Sequence, residues 1–146
     1  MKCMHCSLRG QNMNGIERVN GFLDDAKVFY LATENGDAPR IRPLGFHMTA
    51  DGRILFGVGD FKDVYRQMME NPKVEIAAMA GNHWLRYWGT AEFLDDRGLE
   101  EKALETIPSL KAIYNEETGH RMRLFHLRDA KAQIIEVMNV VEEYDL

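Results

Sequence analysis

Short apolar runs separated by turn dipeptides dominate the first two thirds of this chain. Val28-Phe29-Tyr30-Leu31-Ala32 is followed by Glu34-Asn35-Gly36-Asp37, and Asp51-Gly52 precedes the apolar run over residues 53–58. Asn-Gly and Asp-Gly between hydrophobic runs are hairpin signals, because these residues tolerate the positive φ of tight turns. The pattern predicts an antiparallel meander with strands over residues 28–32, 38–49, 53–58, 74–80 and 84–94, the last two joined at Gly81-Asn82-His83. The run 28–32 is apolar at every position, which predicts burial on both faces. Pro43 within the second strand implies a bulge or an edge there, since proline cannot donate to a ladder.

Helical spacing interrupts the strands. Ile16, Val19, Phe22 and Leu23 predict a helix over residues 14–25, capped by Asn14 and lying on one end of the sheet. Residues 61–71 read as a second helix with Val64 and Met68 inward, ended at Asn71-Pro72 because the residue before proline leaves the helical region. Leu99, Ala103, Leu104 and Ile107 mark a third over 95–107, and a short helix over 109–114 follows Pro108. Strands over 124–127, 132–137 and 140–144 complete a mainly β fold, a small antiparallel barrel with flanking helices. A single domain over 1–146 is expected, with 1–13 as a flexible N-terminal tail.

At 146 residues the chain can bury a sizeable core. No apolar run approaches the length of a membrane span and the first residues lack a signal-peptide core, so a cytoplasmic protein without a membrane partner is expected. The net charge of −5 argues against nucleic-acid binding, which needs a basic field. It still allows a small phosphorylated ligand in a locally basic pocket. Cys3 and Cys6, with His5 between them, form a Cys-x-x-Cys that suits a redox pair or half of a zinc site. A structural zinc site needs about four ligands, and the chain has no second cysteine knuckle; a reduced tail with no metal is the reading.

Candidate chemistry centres on Arg40-Ile41-Arg42-Pro43-Leu44-Gly45. In an extended strand Arg40 and Arg42 point to one face, where two guanidinium groups repel unless an anion sits between them. Gly57-Val58-Gly59-Asp60 turns into the second helix, whose N-terminus offers backbone amides to an anion. Lys62, in the first turn, opposes the helix dipole and becomes favourable if a phosphate binds there. Trp84, Arg86 and Trp88 share one face of their strand. Trp84, beside a turn, is the candidate platform for a planar ring, and Trp88 is assigned to packing. Spacing marks no nucleophile and no catalytic residue. Arginines, a lysine, a helix N-terminus and an indole together suit a phosphorylated aromatic cofactor that brings its own redox chemistry.

These residues carry a resemblance. Phe29-Tyr30-Leu31-Ala32-Thr33, Pro39 through Gly45, Lys62 with Val64-Tyr65-Arg66-Gln67, Asn71-Pro72-Lys73-Val74-Glu75 and Trp84-Leu85-Arg86-Tyr87-Trp88-Gly89 occur in an order that resembles the pyridoxamine 5′-phosphate oxidase-related flavoproteins. The resemblance implies an FMN-binding split barrel of antiparallel Greek-key type, and a homodimer with its cofactor sites at the subunit interface. It places Arg40, Ile41, Arg42, Pro43 and Leu44 along the flavin ring and ribityl chain, with Arg42 near the phosphate. Val58 and Gly59 would line the ribityl-phosphate side, and Lys62 would bind the phosphate. Gln67 joins the cofactor set from its matched segment, and Trp84 would contact the flavin from the partner subunit. Many relatives have Thr or Ser where this chain has Gly57-Val58-Gly59, which shifts phosphate binding onto Lys62, arginine and backbone amides. The chain lacks the longer C-terminal part that forms the pyridoxal-phosphate pocket in the true oxidases. The function implied is an FMN-dependent oxidoreductase acting on a small organic acceptor, nitro-aromatic or similar. The alternative is a non-catalytic flavin-binding or stress-related protein with FMN as sensor or stored ligand, and a deazaflavin or haem ligand is a lesser variant.

Overall fold

The computed structural model describes the backbone of residues 8–146 and the side chains from Gly15 onward; Cys3 and Cys6 lie outside the described residues. Eight antiparallel strands form one sheet with the path β2-β1-β5-β6-β7-β4-β3, and β8 pairs with β7. In chain order these are β1 (Phe29–Asn35), β2 (Ala38–Leu44), β3 (His47–Ala50), β4 (Arg53–Gly59), β5 (Lys73–Ala80), β6 (His83–Leu94), β7 (Met122–Glu136) and β8 (Asn139–Asp145). Helices α1 (Leu8–Ala26), α2 (Asp63–Glu70) and α3 (Arg97–Thr106) flank the sheet, and a 3₁₀ turn spans Pro108–Ala112.

The sheet curls until non-adjacent strands meet. Phe29 on β1 and Phe56 on β4 pack edge to face at 5.5 Å between ring centroids, although β1 and β4 share no ladder. Phe56 also meets Phe125 at 5.5 Å, and Phe125 meets Phe93 at 5.4 Å. These rings, with Leu31, Ile54, Ile76, Leu85 and Tyr87, fill the interior of an open, or split, barrel. A second cluster of Leu55, Ala103, Met122 and Leu124 lies beneath α3. Ile54, Phe56 and Val58 face the first cluster while Leu55 joins the second, so β4 is buried on both faces.

Several sequence expectations change here. Double burial was predicted for residues 28–32, yet β1 alternates: Phe29 and Leu31 are buried, while Val28 is 47% and Tyr30 46% exposed. Its apolar outer positions therefore face outward in the single chain. The predicted strand over 38–49 divides at Gly45-Phe46 into β2 and β3, which occupy opposite ends of the sheet path. Pro43 sits on β2, an edge strand, opposite Tyr30; the edge explains its tolerance. The strands predicted over 124–127 and 132–137 are one, β7, kept continuous by its pairing with β6. That pairing is irregular between Trp88 and Thr90. A Cβ on Gly89 there would lie 2.9 Å from the Arg128 carbonyl oxygen and 3.0 Å from the Ala130 Cα, so the two backbones approach as only glycine permits.

Helix α1 begins at Leu8, so Asn14 lies within it rather than capping it. Val19, Phe22 and Leu23 are buried as the spacing predicts. Lys27 ends the helix at φ 69°, its amide donating to the Leu23 carbonyl at 2.9 Å. His47 on β3 ties this helix to the sheet. Its Nδ1 lies 2.7 Å from Asn20 Oδ1, its Nε2 3.0 Å from Asp24 Oδ1, and its ring packs on Phe29. Burial pulls the imidazole below its ordinary pKa, outweighing the opposite pull of Asp24.

With the folded value below the unfolded one, the unfolded chain binds more protons as pH falls. The His47 contribution is then complete above about pH 6.5 and is lost as pH drops through the folded pKa. Urea-unfolding midpoints at pH 7.5 and pH 5 should show a drop in the wild type that shrinks in His47→Gln. An equal drop in both proteins would remove His47 as its source.

Candidate functional site

Helix α2 organises the candidate site. It packs on both β1 and β4, burying Val64, Gln67 and Met68. Burying the Gln67 amide, 3% exposed, would be costly without partners. Thr33 on β1, equally buried, donates its hydroxyl to Gln67 Oε1 at 2.7 Å. Arg42 on β2 completes the ring. Its Nη2 donates to the same Gln67 oxygen at 2.9 Å, and its Nη1 to Thr33 Oγ1 at 2.7 Å and the Leu31 carbonyl at 3.1 Å. The register sets Arg42 opposite Leu31 and Arg40 opposite Thr33, on the inner face. Arg40 is exposed, donating only to the Pro39 carbonyl at 3.0 Å. Burial, then the charge of Arg40, depresses the Arg42 guanidinium pKa.

None of Arg42's acceptors is a carboxylate. Among the arginines with described side chains, Arg18, Arg53, Arg66, Arg86, Arg97, Arg121 and Arg128 each have a carboxylate oxygen within 4.0 Å. The exceptions are Arg40, Arg42 and Arg123. Arg123 on β7 donates through Nη1 to the Tyr65 hydroxyl at 2.9 Å and lies 5.7 Å from the centroid of that ring. Its buried Nε has no partner. Tyr65 and Gln67 stand two residues apart, about 200° around a helix, so Arg42 and Arg123 hold opposite flanks of α2.

The N-terminus of α2 completes the cationic region. Lys62 is the N-cap residue, exposed, with no capping side-chain bond. The Lys62 amide donates to the Gly59 carbonyl at 3.1 Å and the Asp60 amide to the Arg121 carbonyl at 2.9 Å. The Asp63 and Val64 amides have no such acceptor among the described residues, as first-turn amides commonly do not. Asp63 adds one negative charge to the same turn. Gly59 is buried, and a Cβ there would meet Phe61 Cε1 and Tyr114 Oη, each at 2.8 Å. Val58 points into the core, 5% exposed, so only its backbone is free for a ligand.

The remaining candidates lie elsewhere. Ile41 and Pro43 project from the outer face of β2, while Leu44 packs partly against the core. Trp84 is also on the outer face, three strands from Arg42, opposite Met79 and Ile135. It lines an apolar cleft of about 640 Å³ with Val28, Tyr30, Ala77 and Met79. Within one chain the structure therefore brings together Arg42 and Gln67, and separates Trp84 from them. Trp88 carries Arg86 at 5.6 Å from its centroid, and Arg86 is itself paired with Glu75; both belong to packing. Sequence reasoning missed Thr33 and Arg123. A lone cation in the otherwise apolar Met122-Arg123-Leu124-Phe125 was the available signal for Arg123.

A family described as pyridoxamine 5′-phosphate oxidase matches residues 16–137. A NimC/NimA family protein from Clostridium acetobutylicum is 34% identical, with a TM-score of 0.84 over 94% of this chain and 97% of the other. An FAD-binding protein from Mesorhizobium loti shares the fold at 16% identity and TM-score 0.57, covering 80% of this chain and 91% of its own. A heme-binding protein from Mycobacterium smegmatis does so at 16% identity and TM-score 0.66, covering 92% of this chain and 57% of its own. No curated protein matches the chain. No helix among the described residues is long and apolar enough to cross a membrane.

The Thr33 hydroxyl both donates and accepts within the Arg42–Gln67 ring. Thr33→Val should cost about 1–3 kcal/mol in chemical denaturation, the usual cost of leaving buried polar groups underpartnered. Thr33→Ser restores the hydroxyl and should recover most of that loss. Equal destabilisation by both would mean the methyl group matters, not the hydrogen bonds.

Proposed function

The chain belongs to the pyridoxamine 5′-phosphate oxidase family, and from that premise we propose that it is an FMN-binding oxidoreductase that reduces a small organic acceptor, nitro-aromatic or similar. The observation that carries the reading is the Arg42 guanidinium, held beside α2 without a carboxylate neighbour, with Arg40 on the same face of β2 and Lys62 at the helix N-cap, whereas Arg18, Arg53, Arg66, Arg86, Arg97, Arg121 and Arg128 each have one. A phosphate monoester supplies the missing charge through charge-assisted hydrogen bonds. The residues present therefore fit a phosphorylated flavin, and bound FMN would supply the electron transfer.

The chain's own contribution is binding and orientation. Arg42, fixed on three sides by Leu31, Thr33 and Gln67, is preorganised, so little rotamer entropy is lost on meeting an anion. Lys62 is a mobile point charge able to close on the phosphate. Ring recognition falls to the outer face, where Met79, 67% exposed, lies beside Tyr30 and Trp84, and Ile41, equally exposed, lies on the β2 edge. A face this apolar favours a homodimer, and a partner chain would bring its own Trp84 toward the β2 edge of the first. The dimer is thus part of the site, shielding the flavin from water while admitting a flat acceptor.

Titration with FMN and riboflavin separates phosphate from ring. Lys62→Gln and Arg42→Gln should each weaken FMN by about 1.5–3 kcal/mol and riboflavin much less, whereas Trp84→Ala should weaken both alike. Equal losses for the two ligands in the Lys62 and Arg42 variants would end the phosphate assignment. The visible spectrum of the purified protein distinguishes a flavin from the Soret band of haem.

Light scattering at micromolar concentration should give twice 16.8 kDa, as an interface of roughly 2,000 Å² would. Met79→Lys should shift the protein toward monomer and weaken FMN with it. A monomeric wild type would overturn the shared site.

A further inference from the structure

A second cavity lies toward the end of the barrel remote from α2. Strand β4 runs from Arg53 to Gly59, so the two regions stand about 20 Å apart along it. This cavity, about 320 Å³, is walled by Ile16 of α1, Ile54 of β4, Leu127 of β7 and the C-terminal Leu146. Two hydrogen-bond donors interrupt the apolar wall. Tyr87, 1% exposed, lines the cavity, and its hydroxyl has no hydrogen-bond partner among the described residues. Arg53 lines it too, with a buried, unpartnered Nε and one loose contact, Nη2 to Asp51 Oδ2 at 3.9 Å.

The side chains of Arg128, Asp129 and His126 at this cavity already have partners. Arg128 pairs with Asp129 at 2.8 Å, and His126 Nε2 lies 2.7 Å from Glu92 Oε1. That leaves the Arg53 guanidinium, on a side chain 36% exposed, and the Tyr87 O–H as the donors without good protein acceptors, beside the aliphatic side chains of Ile16, Ile54, Leu127 and Leu146. Leaving a buried donor such as Arg53 Nε unmade is costly, and a ligand with acceptors at one end and an apolar body would relieve it while also accepting from Tyr87. The volume is at the lower limit of small-molecule sites, which favours a small body over a dinucleotide.

We infer that this cavity binds a small monocarboxylate with an apolar body, its carboxylate accepting from Tyr87 and Arg53 and its chain lying against Ile16, Ile54, Leu127 and Leu146. Burial raises the Tyr87 pKa well above the ordinary tyrosine value, which keeps the hydroxyl protonated and able to donate. The inference stands apart from the flavin reading, because it shares no residue with the cationic region around α2.

Methyl NMR of the full chain, titrated with hexanoate and separately with hexanol, tests it. Hexanoate should move the methyl resonances of Ile16, Ile54, Leu127 and Leu146. Arg53→Gln should weaken hexanoate roughly tenfold or more, as loss of a charge-assisted contact does, and leave hexanol nearly unchanged. Tyr87→Phe keeps the ring in the core and should weaken hexanoate as well. If hexanoate moves none of these methyls, the cavity is a hydrated void and the inference fails. Binding of hexanoate and hexanol with equal strength, insensitive to Arg53→Gln, would reduce it to a non-selective apolar space and also overturn the assignment.

Discussion

The ring of hydrogen bonds among Thr33, Gln67 and Arg42 is the constraint on which the candidate site depends. In this open barrel α2 packs on both β1 and β4, strands that share no ladder. To do so it buries a glutamine, which must find partners on the strands below. Thr33 comes from β1 and Arg42 from β2, so three elements are fixed relative to one another by mutually satisfied groups. The same bonds hold a guanidinium rigid without neutralising it. Structural support and the proposed anion contact draw on one side chain.

That economy explains which parts of the site were legible in the sequence. Alternate arginines in a strand declare a shared face, and Arg40 and Arg42 do share one. Lys62 before a helix declares itself by opposing the dipole. Gln67 was reachable only through resemblance, because a glutamine in a helix reads as solvated until its partner strand is known. Arg123 stood out only as a lone cation in an apolar run; its partner Tyr65 is separated from it by two strands and a helix, and no local spacing encodes that meeting.

The fold divides in the same way. Turn dipeptides and apolar runs located most strands, since those signals are local. The break at Gly45-Phe46 was not visible, because an extended chain passing from one sheet edge to the other keeps its β pattern. Nor could the sequence show which apolar strand would be buried twice. Val28 to Ala32 has the stronger composition, yet β4, with the glycines Gly57 and Gly59, takes that place because the cluster beneath α3 covers its second face, while the outer face of β1 is left exposed. Position in the sheet decides burial; composition only permits it.

The Gly45-Phe46 link also bears on the route to the native state. It joins strands at opposite ends of the hydrogen-bonded path, so a two-residue tether spans what the ladder reaches only through five intervening strands. Bringing β2 and β3 near each other costs almost no loop entropy. The entropic burden falls instead on β1 with β5 and on β4 with β7, whose partners lie far apart in sequence. By contact-order reasoning these pairings, rather than the local hairpins, govern the folding rate. Local hairpins supply ready-made halves, and the speed of barrel assembly is set by how soon β7 finds β4.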